Sequence, residues 1–166
     1  MIKTAQYSIA LLSLVFSSCI QVPLTGGSEL KTYKNVSYKS PKGFSILKSA
    51  TSDKAWINRS AGNSIISYRS ECPAPKISAE DFLENLVNSF YSSTESLIKS
   101  TQTFESRKAV RYKFSVNIEG TIAGFDILGF KKYDCMFLIT HNGKASSLGN
   151  TNQDFESFLN NFKVLQ

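Results

Sequence analysis

Residues 110–140 read VRYKFSVNI EG TIAGFDILGF KKYD CMFLIT, and this stretch decides the fold. From Val110 to Ile118 apolar side chains alternate with polar ones, which is the period of a strand with one buried face. Glu119–Gly120 and Lys131–Asp134 predict turns, so three consecutive strands should form an antiparallel meander. The third strand, Cys135–Thr140, is almost continuously apolar, and we therefore expect it at the centre of the sheet, buried on both faces.

Shorter strands are predicted upstream of the meander. They are Tyr33–Tyr38, Phe44–Leu47, Ala55–Ile57 and Ser64–Arg69. Pro73 and Pro75 interrupt the sheet after the last of these strands, because proline cannot donate a ladder hydrogen bond. Residues 95–106 fit either a helix or a strand. Downstream of the meander, Asn142–Gly143 is a strong turn signal.

Two amphipathic helices are predicted beside the sheet. The first follows Ser78, whose hydroxyl can cap it, and Glu80 and Asp81 in its first turn suit the helix dipole. Its apolar stripe consists of Phe82, Leu83, Leu86, Val87, Phe90 and Tyr91. The second helix spans residues 152–161, and residues 162–165 predict a short final strand. The buried face of this second helix consists of Phe155, Phe158 and Leu159.

This order of elements predicts an α+β domain, an antiparallel sheet with helices packed on it. It resembles the Mog1/PsbP-like layered sandwich. The resemblance rests on the turn at Gly43–Ile46, the helix after a Cys/Pro break, the meander and the segment Asp154–Val164. It covers most of residues 33–166. Several bacterial envelope lipoproteins share that fold, which hosts binding and assembly proteins and implies no catalytic residues for this chain.

The first 32 residues resemble the leader and tether of a bacterial lipoprotein. Lys3 precedes an apolar run of about ten residues, whereas a membrane-spanning helix needs roughly 20. The run ends in two small residues followed by Cys19. The resemblance implies that residues 1–18 are a signal peptide, that Cys19 is lipidated, and that residues 19–32 tether a single domain, 33–166.

Acyl chains on Cys19 would make the lipid bilayer the first partner of this protein. Ile20 follows the cysteine where an inner-membrane lipoprotein of enteric bacteria carries Asp, so we expect the outer membrane, facing the periplasm. Phe16 departs from the lipobox, which usually has Leu at that position. The alternative is therefore an ordinary signal peptide that is cleaved elsewhere, with Cys19 incidental.

Cys72 and Cys135 remain as an even pair if Cys19 is lipidated. Oxidising compartments let such a pair form a disulfide, which we predict here, with two buried free thiols as the alternative. No metal site or cofactor is expected. Neither cysteine has a second Cys or His nearby, and His141 is the single histidine of the chain.

The formal net charge is +6 at pH 7, but no run of basic residues exceeds two. Nucleic acid is therefore not an expected partner. A mildly basic surface suits anionic lipid or polyanionic envelope polymers, and an ordinary solvated surface is the alternative.

Candidate catalytic groups are few. The sequence predicts His141 to be a solvated turn residue beside Asn142–Gly143. The carboxylates considered for a glycosidase are Glu71, Glu80, Asp81, Glu84, Glu119, Asp126 and Asp134. Asp126 is the strongest of them, and strand alternation predicts that it lies solvated on the polar face. Trp56 is expected in the core, with a ligand-facing position near Arg59 as the alternative.

These observations favour a membrane-anchored, non-enzymatic binding or assembly module whose partner is an envelope protein or cell-wall polymer. One alternative is an envelope hydrolase, which would need two convergent carboxylates in a cleft. The other is a carrier of a small apolar ligand, which would need a closed apolar cavity.

Overall fold

The computed structural model describes residues 31–90 and 94–166. The predicted signal peptide, Cys19 and Tyr91 lie outside these ranges. The elements in chain order are β1 (Val36–Ser37), β2 (Ser45–Leu47), β3 (Lys54–Asn58), β4 (Ser64–Glu71), α1 (Ala79–Asn88), β5 (Thr94–Phe104), β6 (Arg107–Ile118), β7 (Thr121–Lys132), β8 (Cys135–Lys144), α2 (Ala145–Leu148), a 3₁₀ turn (Gly149–Thr151), α3 (Asn152–Asn161) and β9 (Lys163–Val164). None of the helices in these ranges is long and apolar enough to cross a bilayer.

Seven strands form one antiparallel sheet in the order β2-β3-β4-β8-β7-β6-β5. The predicted meander is confirmed as β6, β7 and β8, and β8 lies at the centre as expected. The ambiguous residues 95–106 supply β5, which forms one edge of the sheet. The hairpin turns at Glu105–Ser106, Glu119–Gly120 and Tyr133–Asp134 all have positive φ at both residues, the geometry that matches the twist of the flanking strands.

The predicted turn at Asn142–Gly143 is wrong, because both residues belong to β8. They pair with Phe125 and Gly124 of β7, so the ladder continues past the expected end of the strand. Neighbouring elements approach closely at both glycines. A Cβ atom on Gly124 would lie 2.5 Å from a methyl group of Leu148, and one on Gly143 would lie 3.2 Å from a backbone atom of β4. These glycines therefore provide space within a sheet and do not form a turn.

The helix α1 covers one face of the sheet. Ser78 caps it as predicted, since its hydroxyl accepts a hydrogen bond of 3.0 Å from the backbone N–H of Asp81. Its buried side chains pack on alternate residues of β6, including Tyr112 and Phe114. The helix ends at Asn88, before the predicted stripe does, and Phe90 beyond it packs against Phe114.

The helix α3 covers the opposite face. Its buried residues are Phe155, Phe158 and Leu159, as predicted. They pack in a cluster of aromatic and aliphatic side chains that includes Phe130, Phe137 and Ile139. Trp56 lies in the same cluster and is buried, which confirms its predicted place in the core. After α3 the chain forms β9, which pairs with β1 through Val36 and Val164.

A disulfide joins Cys72 and Cys135, as predicted, and their Cα atoms are 4.5 Å apart. Sheet register brings the two residues together, because the last residue of β4 pairs with Met136 in β8. Lys31, which the sequence assigns to the tether, forms a backbone bridge with Cys72. Lys31 therefore lies beside the disulfide.

Candidate functional site

A cluster of polar side chains lies between the sheet and α3, and all of its members but Glu156 are buried. We call it the buried polar network. It comprises Ser64 of β4, Arg111 of β6, Asp126 of β7, His141 of β8, Thr151 before α3 and Glu156 of α3. Strand alternation places the four strand residues on the face that α3 covers, and register places Asp126 directly opposite His141. The network brings together a cation, two carboxylates, an imidazole and two hydroxyl groups.

Arg111 joins the two acidic members of the network. Its Nε lies 2.6 Å from Oδ1 of Asp126, and its Nη2 lies 2.7 Å from Oδ2, which is a bidentate pair. The same Nη2 donates to Glu156 at 2.5 Å. Burial opposes the charge of Arg111, but its hydrogen bonds to Asp126 and Glu156 raise its pKa above the usual value. The guanidinium is therefore a permanent cation, neutralised from two elements.

His141 forms the second half of the network. Its Nε2 lies 2.9 Å from the hydroxyl oxygens of both Ser64 and Thr151, which are themselves 2.9 Å apart. The ring of Phe155 stacks on the imidazole at 5.0 Å and also contacts the guanidinium of Arg111 at 5.4 Å. The imidazole is only 1% exposed, and burial lowers its pKa to about 4. His141 is therefore neutral at physiological pH.

Two predictions about these residues are wrong. His141 is a buried strand residue and not a solvated turn residue, because β8 continues to Lys144. Asp126 lies on the predicted face of its strand but is only 5% exposed, since α3 covers that face and Arg111 neutralises the carboxylate. Sequence reasoning also missed Ser64 and Glu156 as their partners, because nothing in the local pattern marks residues so distant along the chain.

Because most of these side chains are buried, few reactions are possible at this network. A hydroxyl hydrogen-bonded to an imidazole resembles a nucleophile with its base. However, Ser64, His141 and Thr151 are all at most 1% exposed, so a substrate has no access to them in this conformation. The acidic members converge on a guanidinium and not on a cleft. Within residues 31–90 and 94–166, no group of three or more His, Cys, Asp or Glu side chains is placed to hold a metal ion.

The other candidate carboxylates have structural partners or face solvent. Glu119 and Asp134 lie in hairpin turns, as predicted. Glu80 pairs with Lys99 and Lys108 near the start of α1. Burial raises the pKa of Glu71, which lies beside Arg69 at 2.5 Å but accepts no hydrogen bond of good geometry.

A surface groove of about 530 Å³ lies outside α3. It is lined by Lys39, Ser40, Pro41, Lys42, Gln153, Asp154, Ser157 and Phe158. Its lining contains one carboxylate, whereas glycoside hydrolysis uses two. No member of the buried polar network contributes to it.

Replacing His141 with Gln is expected to change how stability depends on pH. In the unfolded chain His141 has an ordinary pKa of about 6.5, and in the folded protein burial lowers the pKa to about 4. Between these values only the unfolded state is protonated, so the free energy of unfolding of the wild type should fall by up to about 3 kcal/mol as pH drops from 7 to 4. The variant lacks this contribution.

The check is urea unfolding of both proteins at several pH values. The difference between their free energies of unfolding should shrink by about 3 kcal/mol over this range. Burial also raises the pKa of Asp53 and Glu71, which stabilises the fold toward acid pH, but both residues are present in each protein and cancel in the difference. A pH-independent difference would contradict a neutral, buried His141.

The comparisons with known proteins identify the fold. No protein-family model matches the chain, and no curated protein sequence matches it. The structure is similar to that of LpqN, described as involved in cell envelope biogenesis of Mycobacterium tuberculosis, with a TM-score of 0.60 and 9% identity over 84% of this chain and 87% of LpqN. It is also similar to cyanobacterial PsbP (CyanoP) from Synechocystis sp. PCC 6803, with a TM-score of 0.58 and 12% identity over 89% and 98% of the two chains.

These similarities define the class of the domain. The chain has a PsbP-like α+β fold, an antiparallel sheet with a helix on each face, as the order of its elements predicted. Because the identities are so low, the likeness concerns the fold alone.

Proposed function

We propose that this protein is a lipid-anchored envelope protein that acts as a non-enzymatic binding or assembly module. The observation that carries the proposal is the edge strand β5, an 11-residue strand that has β6 on one side and no strand on the other within the described chain. Such an edge presents unpaired backbone groups to which a partner strand can add.

The side chains of β5 support a binding role. Ile98 is 65% exposed and Leu97 is also exposed, so apolar groups project from both faces of the strand. The only charged residues of the strand are Glu95 and Lys99. The ammonium group of Lys99 forms ion pairs with Glu80 and Glu84 of α1, so it points over the sheet and away from the free edge of β5. An extended segment of a partner protein could therefore pair with the backbone and cover Ile98.

Three observations support an envelope location. The leader resembles that of a lipoprotein with Cys19 as the acylated residue. A disulfide suits an oxidising compartment. LpqN, whose fold this chain shares, is described as involved in cell envelope biogenesis. From these observations we propose an envelope location. We propose the outer membrane in particular because Ile20 follows Cys19.

The two alternative functions have less support. A hydrolase would need accessible carboxylates, and Asp126 is enclosed and paired with Arg111. A carrier would need an apolar cavity between the sheet and α3, and that space holds the packed rings of Trp56, Phe158 and Phe162.

The binding role can be tested by placing a photo-crosslinking residue at position 98 and irradiating intact envelopes. We expect a discrete cross-linked protein that is absent when the same residue stands at position 46. Ile46 is the matched control, because it is 79% exposed on the other edge strand, β2. Leu97→Lys in the chain that carries the photo-crosslinking residue at position 98 should abolish the cross-link, since lysine on an edge strand opposes strand addition. Equal cross-linking at both positions, or none at position 98, would refute β5 as the binding edge.

A further inference from the structure

We propose that one end of the domain lies against the membrane and binds anionic phospholipid headgroups. We call it the tether end, and it comprises Lys31, Lys76, Ile77, Tyr133 and Leu165. This inference rests on the proposed function, because it assumes that the chain is anchored at Cys19. It adds an orientation and a lipid class to that anchor.

Sheet register gathers these residues at one end of the molecule. Lys31 bridges Cys72, which follows β4, and the disulfide links that residue to Cys135 at the start of β8. Tyr133 lies in the turn between β7 and β8. The backbone N–H of Ala74 donates to the carbonyl oxygen of Asp134 in the same turn, which holds the loop before α1 against it.

Apolar tips project from the tether end. Ile77, Tyr133 and Leu165 are all exposed although they are large and apolar. Tyr133 and Leu165 belong to one surface, since the ring of Tyr33 stacks on Tyr133 at 6.1 Å and its hydroxyl donates to the carbonyl oxygen of Leu165 at 2.6 Å. Tyrosines with an apolar body and a polar tip suit the headgroup region of a bilayer.

The charge at the tether end suits an anionic surface. Lys31 and Lys76 of the tether end, and Arg107 at the start of β6, are exposed and form no ion pair within the described parts of the chain. The carboxylate of Glu105 nearby is already neutralised by Lys132 at 3.0 Å and by Lys163 at 3.2 Å. Burial removes Glu71 from the surface, so the exposed acids near this end are Asp134 and, at the start of α1, Asp81.

The tether makes this end the one nearest to the anchor. Eleven residues separate Cys19 from Lys31. At full extension they span at most about 40 Å, and any less extended path brings Lys31 closer to the bilayer. The opposite end of the sheet is roughly 35 Å from this end, since the length of β7 separates the two. The tether end therefore meets the membrane at a high effective concentration.

The inference can be tested with the full chain carrying Cys19→Ser, recovered without acylation, in co-sedimentation with vesicles. We expect binding to vesicles of phosphatidylglycerol and phosphatidylcholine and little binding to phosphatidylcholine alone. Each basic residue near an anionic surface contributes about fivefold to affinity. Lys31→Glu with Lys76→Glu should therefore weaken binding at least tenfold, as the two charges are reversed.

Two matched controls lie at the opposite end of the sheet. Arg59→Glu with Lys144→Glu reverses two exposed charges there and should leave vesicle binding within about twofold of the parent, because these residues lie beyond the screening distance from the bilayer. Tyr133→Ser should weaken binding, whereas Ile122→Ser should not, although the two side chains are 41% and 43% exposed. Equal losses from both ends, or no preference for phosphatidylglycerol, would overturn the inference.

The anchor itself is tested separately. In cells, the wild type should be found in membranes, and Cys19→Ser combined with Lys31→Glu and Lys76→Glu should be released from them, because that chain lacks both the acylated residue and the two lysines. Membrane retention of Cys19→Ser together with Lys31→Glu and Lys76→Glu would refute the anchor, whatever the vesicles show. Release of the Cys19→Ser chain combined with no vesicle binding would leave the anchor standing and refute the tether end.

Discussion

Replacing Arg111 with Met is expected to lower the free energy of unfolding by about 3 kcal/mol, because it removes the bidentate partner of a buried carboxylate and leaves only the half-exposed Lys113, 3.4 Å away, as a cation. The side chain of Arg111 is 9% exposed, and that of its bidentate partner Asp126 is 7% exposed. Solvent cannot replace the lost hydrogen bonds at that depth. Glu156 is partly exposed and can turn toward water, so most of the loss should come from Asp126.

Chemical unfolding followed by circular dichroism measures this loss. Lys163→Met is the matched control, since its ion pair with Glu105 is exposed on the lysine side and should contribute no more than about 1 kcal/mol. Arg111→Met combined with Asp126→Leu should recover much of the stability, because an apolar pair leaves no buried charge. A single variant as stable as the wild type would show that Asp126 reaches solvent.

Removing the disulfide should have an effect of similar size. The Cys72→Ala, Cys135→Ala variant is expected to lose about 4 kcal/mol, since the bridge closes a loop between residues 63 apart in sequence. The loss arises mainly in the unfolded chain, which gains freedom without the cross-link. Because the bridge also fixes the start of β8 to the end of β4, fraying should begin there.

Unfolding of wild type and variant in parallel, with and without a reductant, checks this expectation. Reductant should bring the wild type close to the variant and leave the variant unchanged. A wild type that is insensitive to a reductant, with two free thiols when denatured, would contradict the disulfide. Membrane fractionation should be the same for both proteins, since Cys19 is untouched.

Much of the fold could be predicted from local pattern. Strand alternation from Val110 to Ile118 and the apolar run from Cys135 to Thr140 identified the meander and its central strand, because side-chain period is a property of neighbouring residues. Turn residues were less dependable. The turn at Glu105–Ser106 has no glycine or asparagine to mark it, whereas Asn142–Gly143 carries the signal and lies in a strand.

The candidate site was harder to predict. Asp126 and His141 were both expected to be solvated, and both are buried. Their strands do alternate as the sequence indicates, but the face that carries them is covered by α3. The pattern of a strand reports which residues share a face, and it does not report what lies above that face.

The sequence by itself determined the class of fold, and it predicted the pairing of Cys72 with Cys135 and a lipoprotein-like leader that ends at Cys19. Only the tertiary structure decided that Arg111, Asp126 and His141 form an enclosed network, and that β5 is an edge strand. Periodicity, capping and turn chemistry act between residues close in sequence, so they can be read along the chain. Burial and pairing of the network depend on contacts between residues up to 87 positions apart, such as Ser64 and Thr151, which form only when the helix packs on the sheet.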